Sequence, residues 1–407
     1  MRCSLRPAFC VVAAILVAAC QVLPPAPVPV PPPTPPPPAP APESPRATFT
    51  PVPYSALPGW ADDDLAATWP ALVVGCRTLV ANTRTRATWE RPCAAAERVD
   101  GRDRRAVRAY YEGYFSPYRI EAADGRDTGL VTGYYEPQLR GSRTPTAAFT
   151  VPLYAIPDDL LTVDLTLLFP ELKDKRVRGR VDGKRVVPYW PRADIERGKA
   201  PLAGKALAYV AEPVDAFFLQ IQGSGRVRLP DGTALRLGYA DQNGHPFRSV
   251  ARVLIERGEL TLERASKQSI EAWGRANPDK LPALLDENPS YVFFREVPAP
   301  APGSLEAQID GPIGALGVPL LAQRTIAVDP RAVPLGAPVF LATTLPLSAQ
   351  PLNRLTLAQD TGGAIRGAVR ADFFWGFGDD AGREAGRMRQ DGRMWLLWPK
   401  DAPPPGP

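Results

Sequence analysis

At 407 residues, 45% of them hydrophobic and 22% charged, the chain is long enough for two domains with cores of their own. Its formal charge of +5 is small for this length and neither demands nor supports binding to nucleic acid. The single histidine, His245, excludes a multi-histidine metal site and leaves little for a nucleophile–histidine machine.

Residues 1–19 read as an export signal, with Arg2 and Arg6 as the positive end and an apolar core over 8–19. The small residues of Val17-Ala18-Ala19-Cys20 resemble the bacterial lipoprotein box, in which the cysteine is lipidated and becomes the mature N-terminus. The apolar run is too short to span a bilayer comfortably. Gln21, not aspartate, follows the cysteine, so the resemblance implies the outer membrane of a Gram-negative cell, facing the periplasm. Cys3 and Cys10 fall in the leader, which leaves Cys76 and Cys93 as an isolated pair in an oxidising compartment. A disulfide between them is the natural reading, worth about 3 kcal/mol by loop-closure entropy. Residues 20–53 follow the leader, and the sixteen prolines over 22–53 make a polyproline-type tether. At ~3.1 Å per residue it would reach on the order of 100 Å when stretched.

The folded part is expected to start near residues 54–60. Apolar residues recur at helical spacing over 62–80 and 92–115, with Asp62-Asp63-Asp64 as a candidate helix start. From Gly129 the character changes, and 130–137 reads as a strand ended by Pro137. Short β-like runs follow at 151–154, 206–211, 217–222, 227–229 and 235–237, with Pro230-Asp231-Gly232-Thr233 as a hairpin turn. Residues 247–257, 266–276 and 281–287 read as helices, and 291–294 as an aromatic strand. Beyond the breaker-rich 298–302, strands are expected at 326–328, 339–341, 355–358, 373–375 and 394–398, and a short helix over 381–388. The pattern is mainly β with flanking helices, without an internal repeat or a membrane-spanning helix after residue 20.

Chemistry is best sought in residues 357–378. Asp360 stands just before the pair Gly362-Gly363, and Asp372 between Ala371 and the run Phe373-Phe374-Trp375. Glycines let a backbone come close to a ligand, and an acid beside aromatics is desolvated, which raises its pKa and keeps a proton available near neutrality. The combination suggests a general acid in a groove. Local chemistry alone favours a turn aspartate followed by an ordinary strand. Asp329, before Pro330, also suits a turn, and Glu136 lies in an aromatic motif far upstream.

The segment Gln220-Ile221-Gln222-Gly223-Ser224-Gly225-Arg226 lacks the lysine and context of a phosphate loop. Its amides, hydroxyl and bare backbone suit a polyhydroxylated ligand such as a sugar; a strand ending in a tight turn is the other reading. Ser224 is not in a nucleophile elbow, and its sole candidate base, His245, sits in an Asn-Gly turn where bonding to backbone is the simpler role. Carboxylate chemistry remains. Glycoside hydrolysis ordinarily uses two carboxylates, but one protonated acid suffices when the substrate supplies its own nucleophile.

Five motifs, in order, resemble the membrane-bound lytic murein transglycosylase A family over roughly residues 57–398. They are Thr132-Gly133-Tyr134-Tyr135-Glu136-Pro137; Gln222-Gly223-Ser224-Gly225; Tyr239-Ala240 with Asn243-Gly244-His245; Asn288-Pro289-Ser290-Tyr291-Val292-Phe293-Phe294; and the segment from Asp360 to Asp372. The resemblance implies a double-psi β-barrel built from both chain ends, 54–137 and 292–400. It places an inserted β-rich substrate-binding domain at 138–291 and a groove between the two. The C-terminal part, about 320–398, resembles the module named for three aspartates, which map onto Asp329, Asp360 and Asp372.

The function implied is exotransglycosylase cleavage of peptidoglycan between N-acetylmuramic acid and N-acetylglucosamine, with 1,6-anhydro ends and no cofactor or metal. Asp372 aligns with the catalytic acid, and Asp360 and Asp329 with supports that orient loops, hydrogen-bond near Asp372 or, if close enough, raise its pKa by like charge. Tyr134, Tyr135, Gln222, Gly223, Ser224, Gly225, Tyr239, Gly362 and Gly363 would line the groove. Glu136 stands where threonine also occurs in the family, which argues against a second indispensable catalyst, and Arg366 where lysine is common. Expected partners are glycan strands, the outer membrane through lipid on Cys20, and wall-synthesis or scaffold proteins, with the chain a monomer. A non-catalytic peptidoglycan-binding lipoprotein and a two-carboxylate glycoside hydrolase remain as alternatives.

Overall fold

The computed structural model describes residues 47–172 and 177–405. The leader, Cys20 and the tether up to residue 46 lie outside the described residues. Strand β1 (Ala47–Pro51) is followed by helices α1 (Trp69–Ala81), α2 (Arg86–Ala96) and α3 (Arg104–Tyr114), then β2 (Phe115–Ala122) and β3 (Gly129–Glu136). A long excursion comes next: β4 (Gln138–Ser142), β5 (Val151–Tyr154), β6 (Leu161–Thr162), β7 (Arg178–Asp182), β8 (Arg185–Pro188), α4 (Arg192–Glu196) and β9 (Ala206–Val210). It continues through α5 (Pro213–Gln222), β10 (Ser224–Arg228), β11 (Ala234–Gln242), α6 (Val250–Glu256), α7 (Lys267–Ala276), α8 (Leu281–Asp286) and β12 (Val292–Glu296). The chain ends with α9 (Leu305–Ile309), β13 (Thr325–Ala327), β14 (Pro338–Thr344), β15 (Pro351–Asp360), β16 (Ala371–Phe377), α10 (Gly378–Arg387) and β17 (Arg389–Pro399).

β17 closes the main sheet. Its first residues pair with β3, its middle with β14 and its end with β2, so the order β17-β14-β15-β13-β16-β3 returns to β17 as a six-stranded barrel. Two of the pairs, β3/β16 and β13/β15, are parallel and the other ring pairs antiparallel. Closure removes the free edges that an open sheet exposes. Side chains alternate across each strand. Val131, Ile326, Leu355, Phe373 and Leu396 are buried in the core, while Thr132 and Asp372, between such neighbours, are only half-buried. The same core continues under α1–α3 through Leu72, Trp89 and Tyr111, and the expected Cys76–Cys93 disulfide ties α1 to α2.

The excursion forms a second, six-stranded sheet in the order β12-β11-β10-β4-β9-β5 and a small sheet β6-β7-β8. Helix α5 is buried on two sides, Ala216 and Leu219 against the second sheet and Val214 and Phe217 against α6 and α8. A buried cation fastens this part to the barrel. Arg226 of β10 donates to Glu136 at the end of β3 (2.9 Å) and to Asp310 after α9 (3.0 Å), and its guanidinium lies 4.3 Å from the Phe377 ring centroid. Among the described residues no helix is long and apolar enough to cross a membrane.

The structure corrects the sequence reading at four places. The tether expected to run to residue 53 ends sooner, because Ala47–Pro51 pairs with β2 as an edge strand, where proline is tolerated. The helix expected from 62 begins at Trp69. Asp63 instead accepts from the Leu355 amide (2.7 Å) and Arg324 (2.9 Å), pinning the helical segment to β15. The stretch 92–115 is not one helix: α2 ends at Ala96, and α3 restarts with Asp103 accepting from the amides of Arg105 and Ala106. Residues 217–222, read as a strand, are the end of α5. Pro213 at its start and left-handed Gly223 (φ 79°) at its end were the helix signals that the apolar run masked.

Candidate active site

The barrel register sets the site. Asp372 pairs across β16/β3 with Thr132, and Ala327 of β13 pairs with Asp372 on one side and Asp360 on the other. The two acids are therefore two strand spacings apart, about 10 Å between backbones, on one face of the sheet. Their side chains have different partners. Thr132 Oγ1 donates to Asp372 Oδ1 at 2.5 Å and itself accepts from Arg370 Nη2 at 2.8 Å. Tyr134 Oη donates to Asp360 Oδ2 at 2.9 Å, and the Ala315 amide to Asp360 Oδ1 at 3.0 Å.

Burial is the largest influence on both carboxyls and raises both. At Asp372 the Thr132 hydrogen bond and the Arg370 charge hold the rise back. At Asp360 the bonds from Tyr134, Thr361 and Ala315 oppose it and the charge of Asp372 adds to it, leaving a pKa of about 6. Like charge between the two carboxyls, one of the supporting roles expected of Asp360, is felt at Asp360, where the charge of Asp372 adds to the rise. Burial and the charge of Asp360 push the Tyr134 phenol well up, so it stays a donor.

Asp329 is fully buried and apart from this pair. Burial raises its pKa, but a two-pronged bond from Arg331 (3.0 and 2.8 Å) and the Gly367 amide (3.0 Å) outweigh that and leave it low. It holds the turn that follows Asp360 rather than reaching a ligand. On that turn Gly363 has open space where a side chain would stand, and Gly362 faces Ile365.

The remaining expected groove residues gather at the far end of β3. Gln222 Oε1 accepts from the Tyr135 amide at 3.3 Å, and Gly223 lies beside Tyr239, which is 37% exposed. Ser224 is half-buried at the start of β10. Gly225 is a packing residue: a Cβ there would stand 2.1 Å from Leu219 Cδ1. Glu136 is buried against Arg226 as an ion pair. His245 Nε2 lies 2.7 Å from the Tyr189 carbonyl, the backbone bond expected of it. Asn243 binds the carbonyls of Trp190 and Pro289 and accepts from the Tyr291 amide, so two of the quoted motifs hold each other in place.

Two residues that complete the site were not singled out, Thr132 and Arg370. Both were accessible: Arg370 stands two residues before Asp372, just ahead of β16, and Thr132 opened a quoted motif.

Barrel and insert thus define a protein with a half-buried pair of carboxylates on a barrel wall and polar side chains delivered beside them from an inserted sheet. The chain matches the models of the MltA specific insert domain over residues 130–295 and the 3D domain over residues 324–398. It is 39% identical to the crystal structure of MltA from Neisseria gonorrhoeae, with a TM-score of 0.78 over 89% of this chain and 95% of that one. A crystal structure of E. coli MltA with bound chitohexaose is 26% identical, with a TM-score of 0.61 over 87% of this chain and 95% of that one. The Membrane-bound lytic murein transglycosylase A of Escherichia coli (strain K12) is 36% identical over 208 residues, 49% of this chain and 53% of the relative. That alignment spans about half the length of the curated relative. The chain belongs to the membrane-bound lytic murein transglycosylase A family.

Proposed function

We propose that the protein is a lytic transglycosylase that cleaves the β-1,4 bond between N-acetylmuramic acid and N-acetylglucosamine in peptidoglycan and leaves 1,6-anhydromuramoyl ends. The observation that carries this reading is Asp372 itself: a half-buried carboxyl, raised by burial, on the barrel face that also bears Tyr134 and Asp360. The relatives' names point to murein, and the glycan bound to the E. coli relative points to a saccharide in the groove.

In this reading a glycan strand lies along Asp372 between barrel and insert, contacting Tyr135, Gln222, Gly223, Ser224 and Tyr239, and passes over Gly362 and Gly363. Bound sugar replaces water on the open side of Asp372 and raises its pKa further, so that it enters the reaction protonated. Asp372 gives that proton to the glycosidic oxygen as the bond breaks. As carboxylate it then takes the proton of the muramoyl C6 hydroxyl, whose oxygen closes on C1. Proton transfer of this kind is worth about 10²–10⁴-fold, and the internal hydroxyl has a proximity advantage over water. Asp360, held by Tyr134 and with its pKa raised to about 6, supports the acid from the same face of the barrel. The six-stranded ring with two parallel pairs supports the double-psi arrangement, with residues 54–137 and 292–400 as barrel and 138–291 as insert. Lipid on Cys20 would anchor a monomer to the outer membrane, facing the periplasm.

The variant Asp372→Asn keeps the shape of the carboxyl and removes its proton chemistry. It is expected to retain the wild-type circular dichroism and melting behaviour while muropeptide release falls by at least about 100-fold. Release at the wild-type rate from the folded variant contradicts the assignment.

A further inference from the structure

The insert contains a cavity of about 780 Å³ that the proposed bond cleavage does not use. One wall is α5, through Val214, Phe217 and Gln220; Tyr154, Leu285 and Tyr291 form others. Half of the interior is therefore aromatic or aliphatic, the usual make-up of a small-ligand site, with polar groups at fixed places.

Its charges do not cancel. Glu196, Glu212, Asp215 and Glu271 line it against Arg192 and Arg275. Arg192 is 2% exposed and already committed to the carbonyls of Asn288 and Ser290, to Gln220 and to Glu196. Asp215 and Glu271 share Lys267, at 2.5 and 3.0 Å. Glu212 is exposed at the start of α5, caps no amide there and has no ion-pair partner among the described residues. With Lys267 and Arg275 counted, four carboxylates stand against three cations, an acidic surplus of one on an apolar wall. That fits a primary amine carried on a short, partly apolar chain.

The cavity also shares a wall with the candidate active site. Gln220 faces it, while Gln222, two residues on, accepts from the Tyr135 amide at 3.3 Å, and Tyr135 stands next to Tyr134 on β3. The charges of Lys267, Asp215 and Glu271 are all felt at the Tyr135 hydroxyl. An extended tetrapeptide reaches about 13 Å, close to the ~15 Å length of a ten-residue helix such as α5. A substituent branching from a sugar beside Tyr135 has the length to enter.

We propose that this cavity receives an amine-bearing peptide substituent of the glycan whose sugar backbone lies along Asp372; the inference rests on the glycan reading above. The site selects for murein whose peptides are still attached and carry a free amine. It lies in the insert and takes no part in bond cleavage.

The test is calorimetric titration of the full chain with a synthetic tetrapeptide bearing one lysine amine, and with the same peptide acetylated on that amine. The amine peptide is expected to bind, and acetylation, Glu212→Gln or Tyr154→Ala each to weaken it at least ten-fold. On peptide-bearing murein the same variants raise KM by a similar factor and leave kcat alone; on peptide-free glycan strands they match wild type. Equal binding of the two peptides, binding unchanged in both variants, or no binding at millimolar peptide overturns the proposal. Failure of the glycan reading is separate: wild-type protein would then leave peptide-free strands uncut, whatever the titration gives.

Discussion

Asp372 and Asp360 are chemically the same side chain, and what separates them is their donors. Asp372 receives one hydroxyl backed by a cation, whereas Asp360 receives a phenol and a backbone amide. Removing the hydroxyl with Thr132→Val takes away an interaction that favours the charged carboxylate, so the Asp372 pKa rises. The descending limb of the kcat/KM pH profile is then expected to move up by on the order of one pH unit, with Thr132→Ser restoring it; an unmoved limb contradicts the assignment. For Asp360 the sign concerns stability. Its pKa is raised on folding from 3.8 to about 6, so its favourable contribution is complete below about pH 4 and is lost as pH rises through about 6. Asp360→Asn is therefore expected to melt higher than wild type above about pH 6 and at the same temperature below about pH 4. A difference that does not change with pH argues against a raised Asp360. The acids were visible in the sequence. Their inequality was expected only through the resemblance, and its physical cause was not legible, because it depends on hydrogen-bond partners 240 and 226 residues away.

At the scale of elements, the joint between insert and barrel is a buried charge cluster. Glu136 is 1% exposed and Arg226 9%, and Asp310, with φ 47°, serves both Arg226 and Arg236. Glu136→Ala leaves a buried guanidinium short of a partner and is expected to cost about 3 kcal/mol, measured by denaturant melts. Activity per folded molecule should remain; a selective loss of turnover would make Glu136 part of the chemistry. Strands whose alternation or aromatic content is strong, such as β12, β16 and β17, were legible in the sequence. Helix α5 was not, since a helix buried on two sides has no polar face to give it a 3.6-residue period. The terminal signals Pro213 and Gly223 outlast that loss of pattern, and they are the better guide in such a segment.

At the scale of the molecule, the barrel is assembled from both halves of the chain around the insert, with β3 and β16 joined in parallel across more than 200 residues. Nothing local encodes that pairing. A barrel built from both chain ends was expected only through the resemblance of ordered motifs to a family, and the physical reason for the pairing is the closed ring that β17 completes. The ring brings Thr132 to Asp372, and the insert brings Gln222 to Tyr135, so the proposed bond cleavage and glycan binding both depend on that topology. The central claim is that Asp372 works with the substrate's own hydroxyl and not with water. Mass spectrometry of murein fragments released by the wild-type protein tests it most directly. The account predicts anhydromuramoyl ends, each 18 Da lighter than a hydrolysed end by the one water not added; reducing ends as the main product would contradict it.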